Sequence, residues 1–498
     1  MHRKKASRGL QSNTNRISPI DTSKGILRSE VLPRLKININ TETWAREDSC
    51  VKVAKTAKEP DYTMQAEYEN RRQQLMAKIG NGTAIFRSAP MAVMHNDVEY
   101  TFRQDSDFFY LTGFNEPEAV AVLAPHHAEH RFILFVQPKE REKEVWTGYR
   151  TGVEEAKKRY GADEAYPIAE LEEKLPQYVE KAEKIYYHLG RDRTFNETIL
   201  KLWQRLVATY PKRGTGPMAI EDSNFILHPL RLVKSDSELA LMRTAAAISV
   251  EAHNKARELA RPGCYEYEIQ AEMERIFRLR GGMGVAYPSI VASGDNACVL
   301  HYIENNRQML DNELLLIDAG CAYNYYNADI TRTFPVGDKF TPEQKILYEI
   351  VLEAQQKAIA QVQPGNPYNA VHDTAVRVIT EGLVELGILR GEVDKLIEEE
   401  KYKPFYMHRT GHWLGLDVHD VGVYQHGESP HILQAGNVLT VEPGIYIVPN
   451  TPPAEGQPEI DPRWSGIGIR IEDDVLVTAT AQEILTDGVP KLVAQLEG

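Results

Sequence analysis

The chain has 498 residues, 42% of them apolar and 26% charged, and a formal net charge of −13. That length exceeds what one hydrophobic core serves and implies two or three domains of soluble, globular composition. The acidic balance disfavours nucleic-acid binding, and no run approaches the ~18 apolar residues of a membrane span. The four cysteines, Cys50, Cys264, Cys298 and Cys321, lack the spacing of a disulfide framework or structural zinc site and favour a reducing compartment.

Residues 1–36 carry nine lysines and arginines against two acids, Asp21 and Glu30, with five serines and no continuous apolar stretch. A secretory signal needs such a stretch, so residues 1–63 read as a disordered extension; an organelle transit peptide shares the composition and stands as the alternative. Met64 would make a sensible alternative start, just before the first predicted helix, Tyr68 to Ile79. Strands follow at 83–86, 119–124 and 131–136, and helices at 152–159 and 168–182. This alternation builds a sheet with helices on its faces, an α/β domain over 64–230. Residues 225–236 read as a junction. A long helix, 237–260, then runs into the stop signal Pro262-Gly263.

The second domain spans 231–498. Helices are predicted at 265–280, 342–363, 367–386 and 390–400, and strands at 313–318, 329–336, 437–442, 445–449 and 467–478. Helices and strands segregate here, the pattern of an α+β domain with a largely antiparallel sheet.

Acids and histidines recur at the strand ends of this half. One apolar strand ends at Asp318 before Ala319-Gly320, and the next begins at Asp329. A short connection can bring the two carboxylates side by side, where they repel unless a proton or cation lies between them. Residues 407–422, MHRTGHWLGLDVHDVG, hold His408, His412 and His419 among glycines that allow close backbone approach. Glu442 ends another apolar strand before Pro443-Gly444. In 465–477, Arg470 and Glu472 share the face opposite Ile467, Ile469 and Ile471. Asp318, Asp329, Glu442 and Glu472 with one histidine make an oxygen-rich donor set suited to Mn, Co, Zn or Fe at a dinuclear site. Two such ions about 3.5–4 Å apart can share a water and lower its pKa.

These segments closely resemble the Xaa-Pro aminopeptidases (aminopeptidase P) of the pita-bread metallopeptidase superfamily. The resemblance rests on 286–302, 316–336, 412–422, 439–447 and 466–478, with 97–120 matching the N-terminal domain of that family. It covers roughly Tyr68 to the end. It implies an α/β N-terminal domain followed by a pita-bread catalytic domain. Asp318, Asp329, His412, Glu442 and Glu472 would bind two divalent ions, Mn²⁺ being favoured. His301, His408 and His419 would line the substrate side, and Glu442 would also carry a proton. Tyr287 and Arg470 would orient the ligating carboxylates. The implied activity is release of the first residue from peptides whose second residue is proline; a prolidase restricted to Xaa-Pro dipeptides is the nearest rival. The resemblance implies a homodimer or homotetramer, with Trp146 and Tyr149 contributing to closure of a neighbour's site, and the cysteine usage points to the cytoplasm.

Overall fold

The apolar runs of the first half come together as one mixed sheet. The computed structural model describes residues 62–453 and 455–497, so the expected 1–63 extension lies outside the described residues but for its last two positions. Across the sheet the strands run Glu164–Pro167, Phe132–Val136, Val120–Leu123, Thr83–Arg87, Lys184–Tyr186 and Ala219–Glu221. Val120–Leu123 is antiparallel to both its neighbours, and the outer pairings are parallel. Phe132–Val136 is buried at every position because helices cover both faces. Phe132, Leu134 and Val136 enter one core and Ile133 and Phe135 the other, the period of two that a strand imposes.

The sequence reading missed the helices Ser106–Thr112, Arg141–Thr147 and, longest of them, Arg193–Arg213. Arg193–Arg213 packs Phe195, Ile199, Leu202 and Leu206 on the sheet at helical spacing. The first helix starts earlier than predicted, at Tyr62, and takes in Met64. The supposed junction is largely the helix Asn224–Leu232. The long helix Asp236–Leu259 follows at once, started by a capping box in which Ser235 and Glu238 satisfy each other's backbone N–H groups.

In the second half every strand pairing is antiparallel among the described residues. Ile290–Ser293, Leu314–Asp318 and Thr331–Pro335 form one sheet. Val438–Val441 pairs with Asp473–Val477, and Gly444–Ile447 pairs with Ile467–Arg470. The helices Asp236–Leu259, Glu266–Leu279, Pro342–Ile359 and Asn369–Glu385 share one apolar cluster with Val291, Leu315, Ile317, Val441, Ile469 and Val475 from the strands.

The single strand expected over 467–478 is two strands in two different sheets, and the face expected opposite the isoleucines is buried as well. Val441 pairs with Asp473 and Gly444 with Arg470, which leaves Glu442-Pro443 facing Ile471-Glu472 outside both ladders. Pro443 has no N–H to give a ladder, while the Ile471 N–H donates to Pro443 O (3.3 Å) and the Glu472 N–H to Thr331 O (3.0 Å). Both glutamates therefore sit where the chain passes from one sheet to the next.

Candidate metal centre

Two glycines allow the backbone approaches on which this centre depends. Asp318 is opposite Thr331 in the ladder, so Asp329 arrives beside it two residues before the strand Thr331–Pro335 begins. Between them, a Cβ on Gly320 would lie 1.7 Å from Ala328 O, so only glycine passes there. A Cβ on Gly411 would lie 1.9 Å from Thr440 O. That close passage lets Thr440 N–H donate to His412 O (2.9 Å) and Glu442 N–H to Thr410 O (2.7 Å), placing His412 beside Glu442.

Asp329, His412 and Glu472 offer ligand atoms that lie within 4.8 Å of one another. His412 Nε2 is 3.4 Å from Asp329 Oδ2 and 3.8 Å from Glu442 Oε1. Its Nδ1–H donates to Trp413 O at 3.0 Å, which directs Nε2 at the acids. Asp318 sits at the same cluster, held by the Tyr287 hydroxyl (2.6 Å) and by Arg470 Nη2 (2.5 Å). Tyr287 also contacts Asp329 through its hydroxyl. Thr331 Oγ1 donates to Glu472 Oε2 at 2.6 Å and receives Arg470 Nε at 3.2 Å.

The electrostatics call for more positive charge than the side chains provide. Among the described residues these four carboxylates meet Arg470, His412 and, 3.6 Å from Glu442, the ring of His408. Burial pushes Asp318 and Glu472 above the usual carboxylate range and Glu442 up to about 7, and repulsion among the acids adds to it. Burial would lower the pKa of His412, but Asp329 and Glu442 hold it up at about 9. Asp329 stays low despite its burial because His412 and Tyr287 bond to it. Buried oxygen donors in excess, with one imidazole, fit hard-to-borderline divalent ions.

The predicted substrate-side histidines line the same cavity of about 920 Å³. His301 and His419 are exposed; the His419 ring stands edge-on to His412 with centroids 4.4 Å apart. His408 is more enclosed. Its Nδ1–H donates to Arg409 O (2.8 Å), so Nε2 accepts from the Tyr446 hydroxyl (2.8 Å). Burial and Arg470 bring its pKa down to about 3, so it is neutral at physiological pH. The sequence reading missed Tyr446, which also accepts Arg470 Nη1 at 2.9 Å, and Thr331. Both lie inside the motifs already singled out, but nothing local marks them. All ten predicted site residues line this cavity.

The family profile described as metallopeptidase family M24 matches residues 240–479, and that of the aminopeptidase P N-terminal domain matches 68–186. The Xaa-Pro aminopeptidase of Escherichia coli is 41% identical over 433 residues, 86% of this chain and 96% of the relative. Human Xaa-Pro aminopeptidase 3 is 34% identical over 450 residues, 87% of this chain and 85% of the relative. Among solved structures, Pseudomonas aeruginosa aminopeptidase PepP superposes with a TM-score of 0.83 at 47% identity, covering 87% of this chain and 97% of that one. Escherichia coli aminopeptidase P with the inhibitor Pro-Leu superposes at 0.82 with 41% identity, covering 87% and 97%. The chain belongs to the aminopeptidase P family, a peptidase with an α/β N-terminal domain and a pita-bread M24 metallopeptidase domain.

Proposed function

We propose that this enzyme is a metal-dependent exopeptidase that releases the N-terminal residue from peptides with proline in second position. The observation that carries this reading is the convergence of three buried carboxylates, the partly buried Glu442 and His412 on one cavity that His301, His372, His408 and His419 also line. In this reading Asp318, Asp329, His412, Glu442 and Glu472 hold two divalent ions, with Mn²⁺ the favoured metal. When bound, such a pair polarises a carbonyl and makes water nucleophilic near neutral pH.

The chain's own groups do the remaining work. Tyr287 and Arg470 fix the oxygens of Asp318, and Tyr287 reaches Asp329 too. His301 and His419, exposed to the cavity, hydrogen-bond the substrate carbonyl as charge develops on it. Glu442 carries a proton to the leaving proline nitrogen. Neutral His408 lines the substrate pocket. Proline supplies no N–H and a fixed φ, so a site that asks nothing of that N–H accepts what other peptidases refuse. The prolidase reading shares every one of these donors and differs only in the length of peptide admitted.

Val145, Trp146 and Tyr149 are almost wholly exposed, Tyr149 at 97%. The helix Arg141–Thr147 buries none of its residues. Apolar groups of this size on and just after a helix with no buried residue support a homodimer or homotetramer in which they meet a neighbouring copy. The free thiols Cys264, Cys298 and Cys321 suit the cytoplasm; the organelle alternative depends on residues 1–63. No described helix is long and apolar enough to cross a membrane.

Metal-stripped enzyme reloaded with Mn²⁺ tests the assignment when offered Xaa-Pro-Yaa and Xaa-Pro in parallel. Metal-dependent release of Xaa from the tripeptide is expected. Cleavage of the dipeptide alone would make it a prolidase, and cleavage of neither would remove the enzymatic reading.

A further inference from the structure

Two permanent cations line the cavity, Arg470 and Arg409. Arg470 is buried and committed to Asp318, Tyr446 and Thr331. Arg409 is exposed, and among the described residues its guanidinium meets no hydrogen-bond or ion-pair partner.

Its backbone, by contrast, is fixed on both sides. The Arg409 carbonyl accepts the His408 Nδ1–H at 2.8 Å. The next residue, Thr410, is buried; its Oγ1 lies 2.5 Å from the Tyr406 hydroxyl and 2.8 Å from His372 Nδ1, and its carbonyl takes the Glu442 N–H at 2.7 Å. The stem is thus anchored to the same strand end that carries a site glutamate, while the head is free to meet a ligand.

Neighbouring side chains leave that head available. His372 is kept neutral, its pKa brought to about 4 by burial and by Arg409 and Lys403. Asp373 is engaged by the Asn369 amide at 2.9 Å and lies beyond ion-pair distance of Arg409. Glu428 is the other exposed fixed charge lining the cavity, and it sits on a separate loop.

The charge layout has a direction. The buried end is crowded with carboxylates, which suits a peptide's free amine and the metals; the exposed lining offers a guanidinium, which suits a carboxylate. An extended tripeptide spans roughly 10 Å at ~3.3–3.6 Å per residue, comparable with the width of a cavity of this volume.

We propose that Arg409 is a specificity-determining residue that binds a substrate carboxylate one residue beyond the proline, favouring short Xaa-Pro-Yaa peptides with a free C-terminus or an acidic Yaa. The inference rests on the aminopeptidase reading of the same cavity. The metal-loaded full chain would be assayed on Ala-Pro-Ala, Ala-Pro-Ala-amide, Ala-Pro-Asp-amide and Ala-Pro-Asn-amide, as wild type, Arg409→Met and Arg409→Lys. An exposed charge-assisted bond gives about three- to tenfold. The wild type should therefore show a lower KM for the free acid than for its amide by that factor, with kcat little changed. Arg409→Met should bring the acid-to-amide ratio of kcat/KM to about one, and Arg409→Lys should restore part of it. A preference for the Asp amide over the Asn amide assigns the contact to a side-chain carboxylate, and a preference confined to the free acid assigns it to the C-terminus. Calorimetric binding of Pro-Leu against Pro-Leu-amide should lose the same discrimination in Arg409→Met. Turnover of all four peptides with equal ratios in wild type and variant would overturn the role of Arg409 and leave the activity standing. Failure to cleave any of them would instead remove the activity on which it depends.

Discussion

Replacing Arg231 with methionine tests how the N-terminal half is held to the loop that carries His419. Arg231 is 2% exposed. Its Nη1 lies 2.7 Å from Asp107 Oδ1, and its Nη2 lies 2.5 Å from Asp420 Oδ1 and 3.0 Å from Asp417 Oδ2. Asp107 belongs to the helix Ser106–Thr112 of the first half, whereas Asp417 and Asp420 flank His419. Methionine keeps most of the buried volume and removes the charge, leaving Asp107 and Asp420 under-compensated. Removing one partner of a buried pair costs about 3–5 kcal/mol. Here Asp420 keeps Lys234 at 3.0 Å and Asp107 keeps His228 at 3.3 Å, so the lower end, about 3 kcal/mol, is expected, or roughly 3–5 °C in Tm for a chain of this length. The deficit should depend on pH. Burial alone would raise Asp107, but His228 and Arg231 hold it below the usual range. A depressed carboxylate contributes stability above its unfolded pKa and loses it as pH falls. Without Arg231, burial is opposed by His228 alone and pushes Asp107 up, so protonation relieves the variant as pH falls, and urea unfolding should show a larger gap between wild type and variant at pH 8 than at pH 4. Adding Asp107→Asn to the variant should recover part of the loss. A deficit below about 1 kcal/mol, or one that does not change with pH, would refute the account of Arg231 as a buried clamp.

Tyr287→Phe removes the hydroxyl that reaches both Asp318 and Asp329; retained metal after dialysis should fall in line with a roughly 10–100-fold loss of affinity while the fold persists by circular dichroism. Gly320→Ala places a Cβ 1.7 Å from Ala328 O, so the connection between Asp318 and Asp329 must open, and metal content and stability should fall together. His253 is buried, donates its Nε2–H to Ala319 O (2.8 Å), and has its pKa lowered by burial to about 4. The unfolded chain then binds a proton between pH 6.5 and 4 that the folded chain refuses, so stability should drop by about 3 kcal/mol as pH falls through that window. His253→Leu should flatten this limb of the stability profile.

Those groups differ in how far the sequence alone could expose them. Asp318 and Glu442 each end an apolar run just before a glycine or proline, so both the strand and its stop are local signals. At Glu472 the local signal misleads. Ile467, Ile469, Ile471 and then Asp473 to Val477 continue without Gly or Pro after Gly468, and the period of two predicts one unbroken strand. The break comes from the partner strand, whose Pro443 interrupts the ladder opposite Ile471-Glu472. The helix Arg193–Arg213 carried its own periodic signal in Phe195, Ile199, Leu202 and Leu206, and was legible though unread. Arg470 and Thr331 are different again. They meet across 139 residues of chain, and no spacing rule reaches that far. Asp420 shows why composition around a site is not enough. It follows His419 in the densest motif of the chain and has the look of a fifth site carboxylate. Yet Arg231, from the last turn of the helix Asn224–Leu232, and Lys234, just past its end, neutralise it in a buried cluster. Its charge serves the seam between the two halves rather than the metal.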